Sequence, residues 1–257
     1  ENIGADNIEF TDEELSVLND ILLNIELQEV EWIELKKTIE DNGGRKMKVL
    51  LVNGSPHKKG CTFTALTEVA ETLNKEEIDT EIFWVGTKPL VGCTACMKCI
   101  EIGCCSFNDC VNDFLDIVPD ADGFIFGSPV HYAAASGAIT SFMDRVFYAD
   151  LLGGRQSFYL KPAAAVISAR RAGTTATFDQ INKYFTISEM PIISSRYWNM
   201  VHGAKPEDVK KDLEGLQTMR VLARNMAWFL KCKEAGTKAG VPFPAREEGI
   251  FTNFIRE

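Results

Sequence analysis

The sequence predicts an α/β fold with a doubly wound, five-stranded parallel sheet in the order 2-1-3-4-5, preceded by a helical extension. Short, almost continuous apolar runs recur along the chain and alternate with segments of helical periodicity. Such runs are typical of strands that helices cover on both faces. Right-handed crossovers then place the carboxyl ends of the strands at one edge of the sheet, where ligands bind.

Residues 1–46 form an acidic leader that precedes the sheet. They hold 13 acidic and four basic side chains, a net −9, and the other 211 residues contribute only about −1 to the total of −10. A capping-box spacing at 11–14 precedes one apolar stripe, and a second stripe covers 30–39. We expect two amphipathic helices that pack on the main domain or on a partner subunit, or a loosely attached appendage.

The main domain is predicted over 47–236, followed by a tail at 237–257 that wraps the surface or a partner. Periodicity and turn residues divide the domain into alternating elements. Strands are predicted at 47–53, 78–85, 123–127, 163–169 and 191–197, and helices at 62–75, 111–118, 136–148, 174–187 and 206–236.

The loop after the first predicted strand has the composition of a phosphate site. The apolar run 49–52 leads into Asn-Gly-Ser-Pro at 53–56 and then into Lys-Lys-Gly-Cys-Thr at 58–62. A helix that begins here presents unpaired N–H groups and a partial positive charge, and nearby hydroxyls and lysines add to both. The alternative is an ordinary strand-to-helix turn with a capping threonine.

The loops after the third and fourth strands carry further candidates. Residues 127–137 combine a tight turn, small residues and Tyr132, which suits a flat ring such as a flavin, and His131 either contacts that ring or is a surface or capping histidine. Residues 168–175 combine Arg170 and Arg171 with a Gly-Thr-Thr helix start at Gly173. They form a second anion site, beside the flavin or for the phosphates of a nicotinamide cofactor, or a solvated arginine pair.

Six of the eight cysteines fall between residues 93 and 110. A signal peptide is not visible, so metal or redox chemistry is a better interpretation than a disulfide framework. A C-x2-C-x2-C run at 93–99, with a further cysteine after four or five intervening residues, is compact spacing for a [4Fe–4S] cluster. Free or redox thiols and a four-thiolate zinc site are the alternatives.

Three motifs resemble the NADPH-dependent FMN reductase family: 53–56 with 60–62, 127–132, and Phe-Met-Asp-Arg at 142–145. The resemblance covers about residues 47–200 and implies a flavodoxin-like fold that binds FMN. It also implies that the Asp144–Arg145 pair is a structural salt bridge at a helix end. The family's site positions, transferred to this sequence, imply that the FMN phosphate is surrounded by Ser55, His57, Lys59, Gly60, Cys61 and Thr62. They imply that the flavin ring is bordered by Ser128, Pro129, Val130, His131 and Tyr132.

Two positions depart from that family, because His57 stands where arginine is common and Cys61 where serine or asparagine is common. The cysteine run is similar to that of the iron–sulfur flavoproteins, a branch of the same group. That resemblance implies a cluster on Cys93, Cys96, Cys99 and Cys105, with Cys104 as the alternative fourth ligand.

The implied function is an FMN-dependent NAD(P)H oxidoreductase that passes electrons to a quinone, a flavin or a nitro or azo compound. The alternative is an electron-transfer flavoprotein that uses FMN and [4Fe–4S] to relay electrons between protein partners. A flavin-free binding module is a third interpretation. We assign no catalytic acid or base, because flavin hydride chemistry depends on positioning.

The composition limits the kinds of binding partner and the cellular location that we expect. The acidic balance argues against binding to nucleic acid, which relies on Lys and Arg. The longest apolar runs are too short to span a membrane, and we expect a cytoplasmic protein. The family resemblance also implies a homo-oligomer, a dimer or a tetramer, since its FMN sites lie near subunit contacts.

Overall fold

The computed structural model describes residues 45–247, 249–250 and 252. The predicted leader helices, which lie within 1–44, are outside the described residues. The parallel sheet has the order β2-β1-β3-β5-β6, with a short strand β4 antiparallel to the end of β3. This confirms the predicted doubly wound fold and its strand order. The strands are Lys48–Asn53 (β1), Asp79–Trp84 (β2), Gly123–His131 (β3), Ala134–Ala135 (β4), Ala163–Ala169 (β5) and Met200–His202 (β6).

Helices cover both faces of the sheet, as continuous apolar strands require. They are Cys61–Lys75 (α1), Cys99–Ile102 (α2), Cys110–Ile117 (α3), Gly137–Leu152 (α4), Thr174–Ile187 (α5), Pro206–Val209 (α6) and Leu213–Lys238 (α7), and a 3-10 turn, Val118–Asp120, follows α3. Among the described residues, every helix is too short or too polar to cross a membrane.

Two apolar layers form the core, one on each face of the sheet. Alternate residues of a strand point to opposite faces, so Leu50 and Val52 join the layer that holds Phe114 and Phe142. Val49 and Leu51 pack instead in the layer formed by α1 and α7. Packing on both faces holds β1 in place. It therefore also fixes where the loop after β1 leaves the sheet, which is where the site lies.

The fifth parallel strand, β6, begins at residue 200, nine residues after its predicted start at 191. The span 191–197 makes only an isolated bridge, Ala163 to Ile192, beside the start of β5. The chain then leaves the sheet and returns as β6, where Met200 pairs with Ile167. Of the apolar residues in this stretch, Ile193 is buried in the core and Ile192 is exposed, and the single bridge does not extend into a full strand.

The predicted helix at 206–236 is two helices, α6 and α7. The break lies at Asp212, whose carboxylate accepts hydrogen bonds from the Gly215 N–H at 2.9 Å and from the His202 N–H at 2.7 Å. The first bond caps α7 and the second ties this cap to β6. A side chain that bonds to the backbone competes with a continuous helix, which explains the interruption.

Candidate cofactor cleft and cysteine cavity

A cleft of about 230 Å³ lies at the carboxyl ends of β1, β3 and β5. This is the edge where open α/β sheets bind ligands. One wall comes from the loop after β1 and the start of α1, and the other from the ends of β3 and β5. The lining residues are Ser55, His57, Cys61, Thr62, Pro129, Val130, His131, Ser168, Ala169, Arg170, Gly203 and Ala204.

Hydrogen bonds from the surrounding scaffold hold the loop after β1 in one shape. The Asn53 side chain accepts from the Ser55 N–H at 3.1 Å and donates to the Lys58 carbonyl at 3.1 Å. The indole N–H of Trp84 donates to the Ser55 carbonyl at 2.8 Å. The Ser55 hydroxyl accepts from the His57 N–H at 3.2 Å. The loop is therefore preorganised around Ser55, whose side chain also lines the cleft.

The N-terminus of α1 supplies the donors of an anion site. The first-turn N–H groups have no acceptor within the helix, and the capping residue, Gly60, has no side chain that could accept from them. Burial raises the pKa of the Cys61 thiol, and the charges of Asp208 and Glu207 raise it further. The thiol therefore stays neutral at pH 7 and donates to the Gly203 carbonyl at 3.5 Å. This donor set fits a phosphate group.

The predicted loop at 127–137 begins as strand, because β3 continues to His131 and is followed by a turn and β4, and two buried serines anchor this segment. The Ser128 hydroxyl donates to the Pro129 carbonyl at 2.8 Å and accepts from the Ser136 N–H at 3.2 Å. The Ser136 hydroxyl donates to the Gly54 carbonyl at 2.8 Å, across to the other loop. Tyr132, at the tip, has a φ of 55° and a fully exposed side chain. The two walls of the cleft are thus joined beneath an exposed aromatic tip.

Four cysteines, Cys93, Cys96, Cys99 and Cys105, line a second, smaller cavity of about 20 Å³. Cys99 is buried, Cys105 is half-buried, and Cys93 and Cys96 are exposed. Between the first three, Ala95 and Met97 take left-handed backbone conformations, with φ of 50° and 61°. Such residues are uncommon outside glycine and cluster at functional sites.

The four thiols of this cavity are not already arranged around a common point. The part of the chain that the structure describes contains no group of three or more His, Cys, Asp or Glu side chains at metal-binding separation. All eight cysteines are free thiols. The donor chemistry of four thiols suits an iron–sulfur cluster, and the room between them suits about one water molecule.

Arg145, from α4, reaches this cavity with a side chain that is 1% exposed. Its Nε and Nη2 atoms each donate to the Cys105 sulfur at 3.2 Å. The Asp109 carboxylate accepts a bidentate pair from Nη1 and Nη2 at 2.7 and 2.9 Å. The sequence predicted a salt bridge with Asp144, which is wrong, because Asp144 instead accepts from the Tyr184 hydroxyl.

Residues 47–205 match the family described as NADPH-dependent FMN reductase. That span is more than half of the chain, and it contains both walls of the cleft and the whole cysteine cavity. The chain belongs to the NADPH-dependent FMN reductase family.

Two related proteins have descriptions that are more specific than that of the family. An iron–sulfur flavoprotein from Methanocaldococcus jannaschii is 32% identical over 190 residues, which cover 72% of this chain and 98% of that protein. An iron–sulfur flavoprotein from Archaeoglobus fulgidus is 26% identical over 192 residues, covering 71% of this chain and 97% of that protein. Both matches extend over almost the whole relative.

Solved structures with the same fold include RosB with a bound riboflavin-5′-phosphate derivative, at a TM-score of 0.57 and 14% identity, over 82% of this chain and 94% of that chain. A WrbA-like flavodoxin from Agrobacterium tumefaciens matches at a TM-score of 0.51 and 15% identity, over 73% of this chain and 98% of that chain. At these identities the likeness establishes the flavodoxin-like fold of this family member.

Most of the predicted site residues of this FMN reductase family member lie together. The residues that line the cleft are Ser55, His57, Cys61, Thr62, Pro129, Val130, His131 and Arg170, and Gly60 caps the helix beside them. Ser128 is buried behind the wall, and Gly173 packs against Val130. Three predicted residues, Lys59, Tyr132 and Arg171, are exposed and do not line the cleft.

Sequence reasoning did not single out several residues that line the cleft of this family member. Ser168 lines the cleft and shares a 2.8 Å hydrogen bond with the Thr62 hydroxyl, and Gly203 and Ala204 close the cleft after β6. A serine at the end of a buried strand was the available signal for Ser168. No local signal marks Gly203 and Ala204, because their place depends on where β6 joins the sheet.

Proposed function

We propose that this protein is an FMN-dependent oxidoreductase that binds FMN in the cleft. The observation that carries the proposal is the joint lining of one cleft by the N-terminus of α1 and the last residues of β3. When bound, FMN supplies hydride and single-electron chemistry. The protein supplies binding and orientation: first-turn N–H groups and Ser55 hold the phosphate, and the backbone at Pro129 and Val130 borders the ring.

A comparison of FMN with riboflavin tests the phosphate site. Both flavins quench on binding, so fluorescence titration of the apoprotein gives both dissociation constants. We expect Ser55→Ala to weaken FMN binding about 10- to 150-fold, since a hydrogen bond to a charged group is worth about 1.5–3 kcal/mol, and to leave riboflavin binding unchanged. Thr64→Val is the matched control, because that hydroxyl donates to the Gly60 carbonyl within the loop and helix. Equal loss for both flavins would count against the phosphate assignment.

For the electron donor we propose NAD(P)H, with Arg170 as the residue that contacts its phosphates. Arg170 lines the cleft, and its neighbour Arg171 does not. We expect Arg170→Met to slow anaerobic flavin reduction by NADPH about tenfold while FMN affinity stays the same. Arg171→Met is the control with the same change one residue away. Stopped-flow absorbance at the flavin band measures both, and equal rates for the two variants would remove Arg170 from the donor site.

The second candidate is an electron-transfer flavoprotein that also carries a [4Fe–4S] cluster. Its support is the placement of Cys93, Cys96, Cys99 and Cys105 on one cavity and the iron–sulfur flavoproteins among the relatives. Binding a cluster requires the exposed thiols of Cys93 and Cys96 to turn towards the buried Cys99. Cys104 does not line the cavity, which favours Cys105 as the fourth ligand.

Anaerobic iron, sulfide and flavin analysis separates the two candidates. Four irons per chain, lost in Cys105→Ser and kept in Cys104→Ser, support the cluster. Sustained NAD(P)H oxidation with a quinone by iron-free protein supports the reductase. Iron-bearing protein that exchanges electrons with a ferredoxin and ignores NAD(P)H supports the relay.

A further inference from the structure

The Arg145 guanidinium lies in a fully formed hydrogen-bonding site around the Cys105 sulfur. Besides Cys105 and Asp109, it donates to the carbonyls of Val91 at 3.3 Å and Phe107 at 3.4 Å. Its carbon also lies 4.9 Å from the centre of the Phe107 ring. A side chain that is 1% exposed and satisfied on every side has one orientation, so the two N–H groups at the sulfur are held in place.

The backbone of Cys105 is held as firmly as its sulfur. The Asn112 side chain accepts from the Cys105 N–H at 2.9 Å and donates to the Cys105 carbonyl at 2.8 Å. The same amide nitrogen donates to the Phe107 carbonyl at 3.2 Å. Asn112 belongs to α3, and Asp109 caps that helix through the Val111 N–H at 3.1 Å. Helix α3 therefore fixes the backbone of the loop, and α4 fixes the sulfur.

Charge explains why this arrangement suits a metal-bound thiolate better than a free thiol. Arg145 and Asp109 form a bidentate pair whose charges cancel, so a neutral thiol would leave two strong donors facing a weak acceptor. A thiolate that ligates a metal is an anionic acceptor for both donors. A guanidinium stays protonated in proteins, so both N–H groups remain available to the sulfur.

We propose that Arg145 and Asp109 act as a positioning pair that holds Cys105 as a metal-ligating thiolate and sets the reduction potential of the cluster. The inference rests on the proposed cluster site and goes beyond it by naming residues that are not ligands. Residues that orient metal ligands typically contribute 10- to 100-fold to metal affinity. Hydrogen bonds to the sulfurs of an iron–sulfur cluster are among the factors that set its potential.

The two members of the pair act on the potential in opposite directions. The N–H groups of Arg145 stabilise negative charge on the sulfur, and the reduced cluster carries more of it, so losing them lowers the potential. The carboxylate of Asp109 cancels part of the arginine charge, so removing its charge raises the potential. General damage to the loop would not shift the potential in opposite directions in the two variants.

The variants are Arg145→Lys, which keeps the charge and loses the two-pronged contact with sulfur, and Asp109→Asn, which keeps a good helix cap and loses the charge. The matched control is Arg155→Lys, since Arg155 donates to the carbonyls of Gly103 and Leu115 nearby. EPR-monitored redox titration measures the cluster, and visible absorbance measures the flavin.

We expect the one-electron reduction constant of the cluster to fall at least tenfold in Arg145→Lys, about 59 mV, and to rise in Asp109→Asn. The control and the flavin potential should stay at the wild-type values. Unchanged cluster potentials in both variants, or shifts of the same sign, would overturn the role in tuning. A flavin shift as large as the cluster shift would show a global effect and would overturn it as well.

Cobalt binding separates this inference from the cluster itself. Anaerobic apoprotein is titrated with Co²⁺, and thiolate-to-cobalt absorption reports binding by sulfur. We expect Arg145→Lys and Cys105→Ser to lose 10- to 100-fold in Co²⁺ affinity, and Cys104→Ser to lose none. Wild-type protein that takes up no iron but binds cobalt with an affinity that Arg145→Lys lowers refutes the cluster and keeps the positioning role. Equal cobalt affinity in Arg145→Lys and wild type, or no binding by wild type, overturns that role.

Discussion

Replacing Ser136 by alanine should loosen the cleft by cutting the hydrogen bond between its two walls. Ser136 is buried, 1% exposed, and its hydroxyl donates to the Gly54 carbonyl at 2.8 Å. The same hydroxyl accepts from the Ile139 N–H at 3.3 Å and so caps α4. The Ser136 hydroxyl oxygen therefore stabilises both the loop after β1 and the N-terminus of α4.

The expected loss of stability is the sum of these two contacts. Losing a serine cap costs about 1 kcal/mol, and leaving the buried Gly54 carbonyl without its partner costs about 1–3 kcal/mol. The free energy of unfolding should therefore fall by about 2–4 kcal/mol. For a chain of this size each kcal/mol lowers the midpoint of thermal unfolding by about 2–4 °C, so we expect a decrease of roughly 4–16 °C.

Urea unfolding of the apoprotein, followed by circular dichroism, measures the free energy of unfolding, and FMN titration measures the effect on the cleft. FMN should bind more weakly because Gly54 precedes Ser55 in the phosphate loop. Thr140→Ala is the control, since the Thr140 hydroxyl donates only to the carbonyls of Ser136 and Gly137 in its own helix turn. A loss below about 1 kcal/mol, or one no larger than that of Thr140→Ala, would refute the reasoning.

Two further substitutions test other parts of the domain. Gly173 has a φ of 93°, and an added Cβ would lie 2.8 Å from Cγ1 of Val130, so Gly173→Ala should cost about 1–2 kcal/mol of backbone strain and weaken FMN binding, as urea unfolding and flavin titration will show. Burial raises the pKa of Asp150, so the folded state binds this proton more tightly than the unfolded chain does. Stability should therefore fall as the pH rises from about 3.9 through the raised value, and Asp150→Asn should remove that fall. Parallel urea midpoints between pH 4 and 7 for Asp150→Asn and wild type would contradict this.

Elements with a strong local pattern could be predicted closely from the sequence. The strand predicted at 163–169 is β5, and the helix predicted at 174–187 is α5. A buried strand of a parallel sheet is almost wholly apolar, and an amphipathic helix repeats every 3.6 residues, so each is visible within its own segment. The loops that follow such strands were therefore placed at the correct edge of the sheet.

Elements that depend on distant partners could not be predicted in this way. Strand β6 has only three residues, 200–202, and is defined by its pairing with β5. The more apolar stretch just before it has stronger local strand character, but it meets β5 at a single bridge. The residues that close the cleft after β6, Gly203 and Ala204, were missed for the same reason.

The largest error of sequence reasoning concerned Arg145. Adjacent residues on a helix point about 100° apart and do not face each other, so Asp144 was a poor partner for it. Asp144 faces Tyr184 on α5. Arg145 faces the segment that holds Cys105 and Asp109, which lie 40 and 36 residues earlier in the chain. Only the packing of α4 against the segment 105–109 brings the guanidinium, the thiol and the carboxylate together.

Helix α4 therefore links the two candidate sites. Its cap, Ser136, holds the loop of the cofactor cleft, and Arg145, nine residues later, holds the sulfur of Cys105. At 1.5 Å per residue these positions are about 14 Å apart along the helix axis. The separation of the cleft and the cysteine cavity is thus set by one rigid element, and a substitution at Ser136 or at Arg145 should affect its own site and leave the other in place.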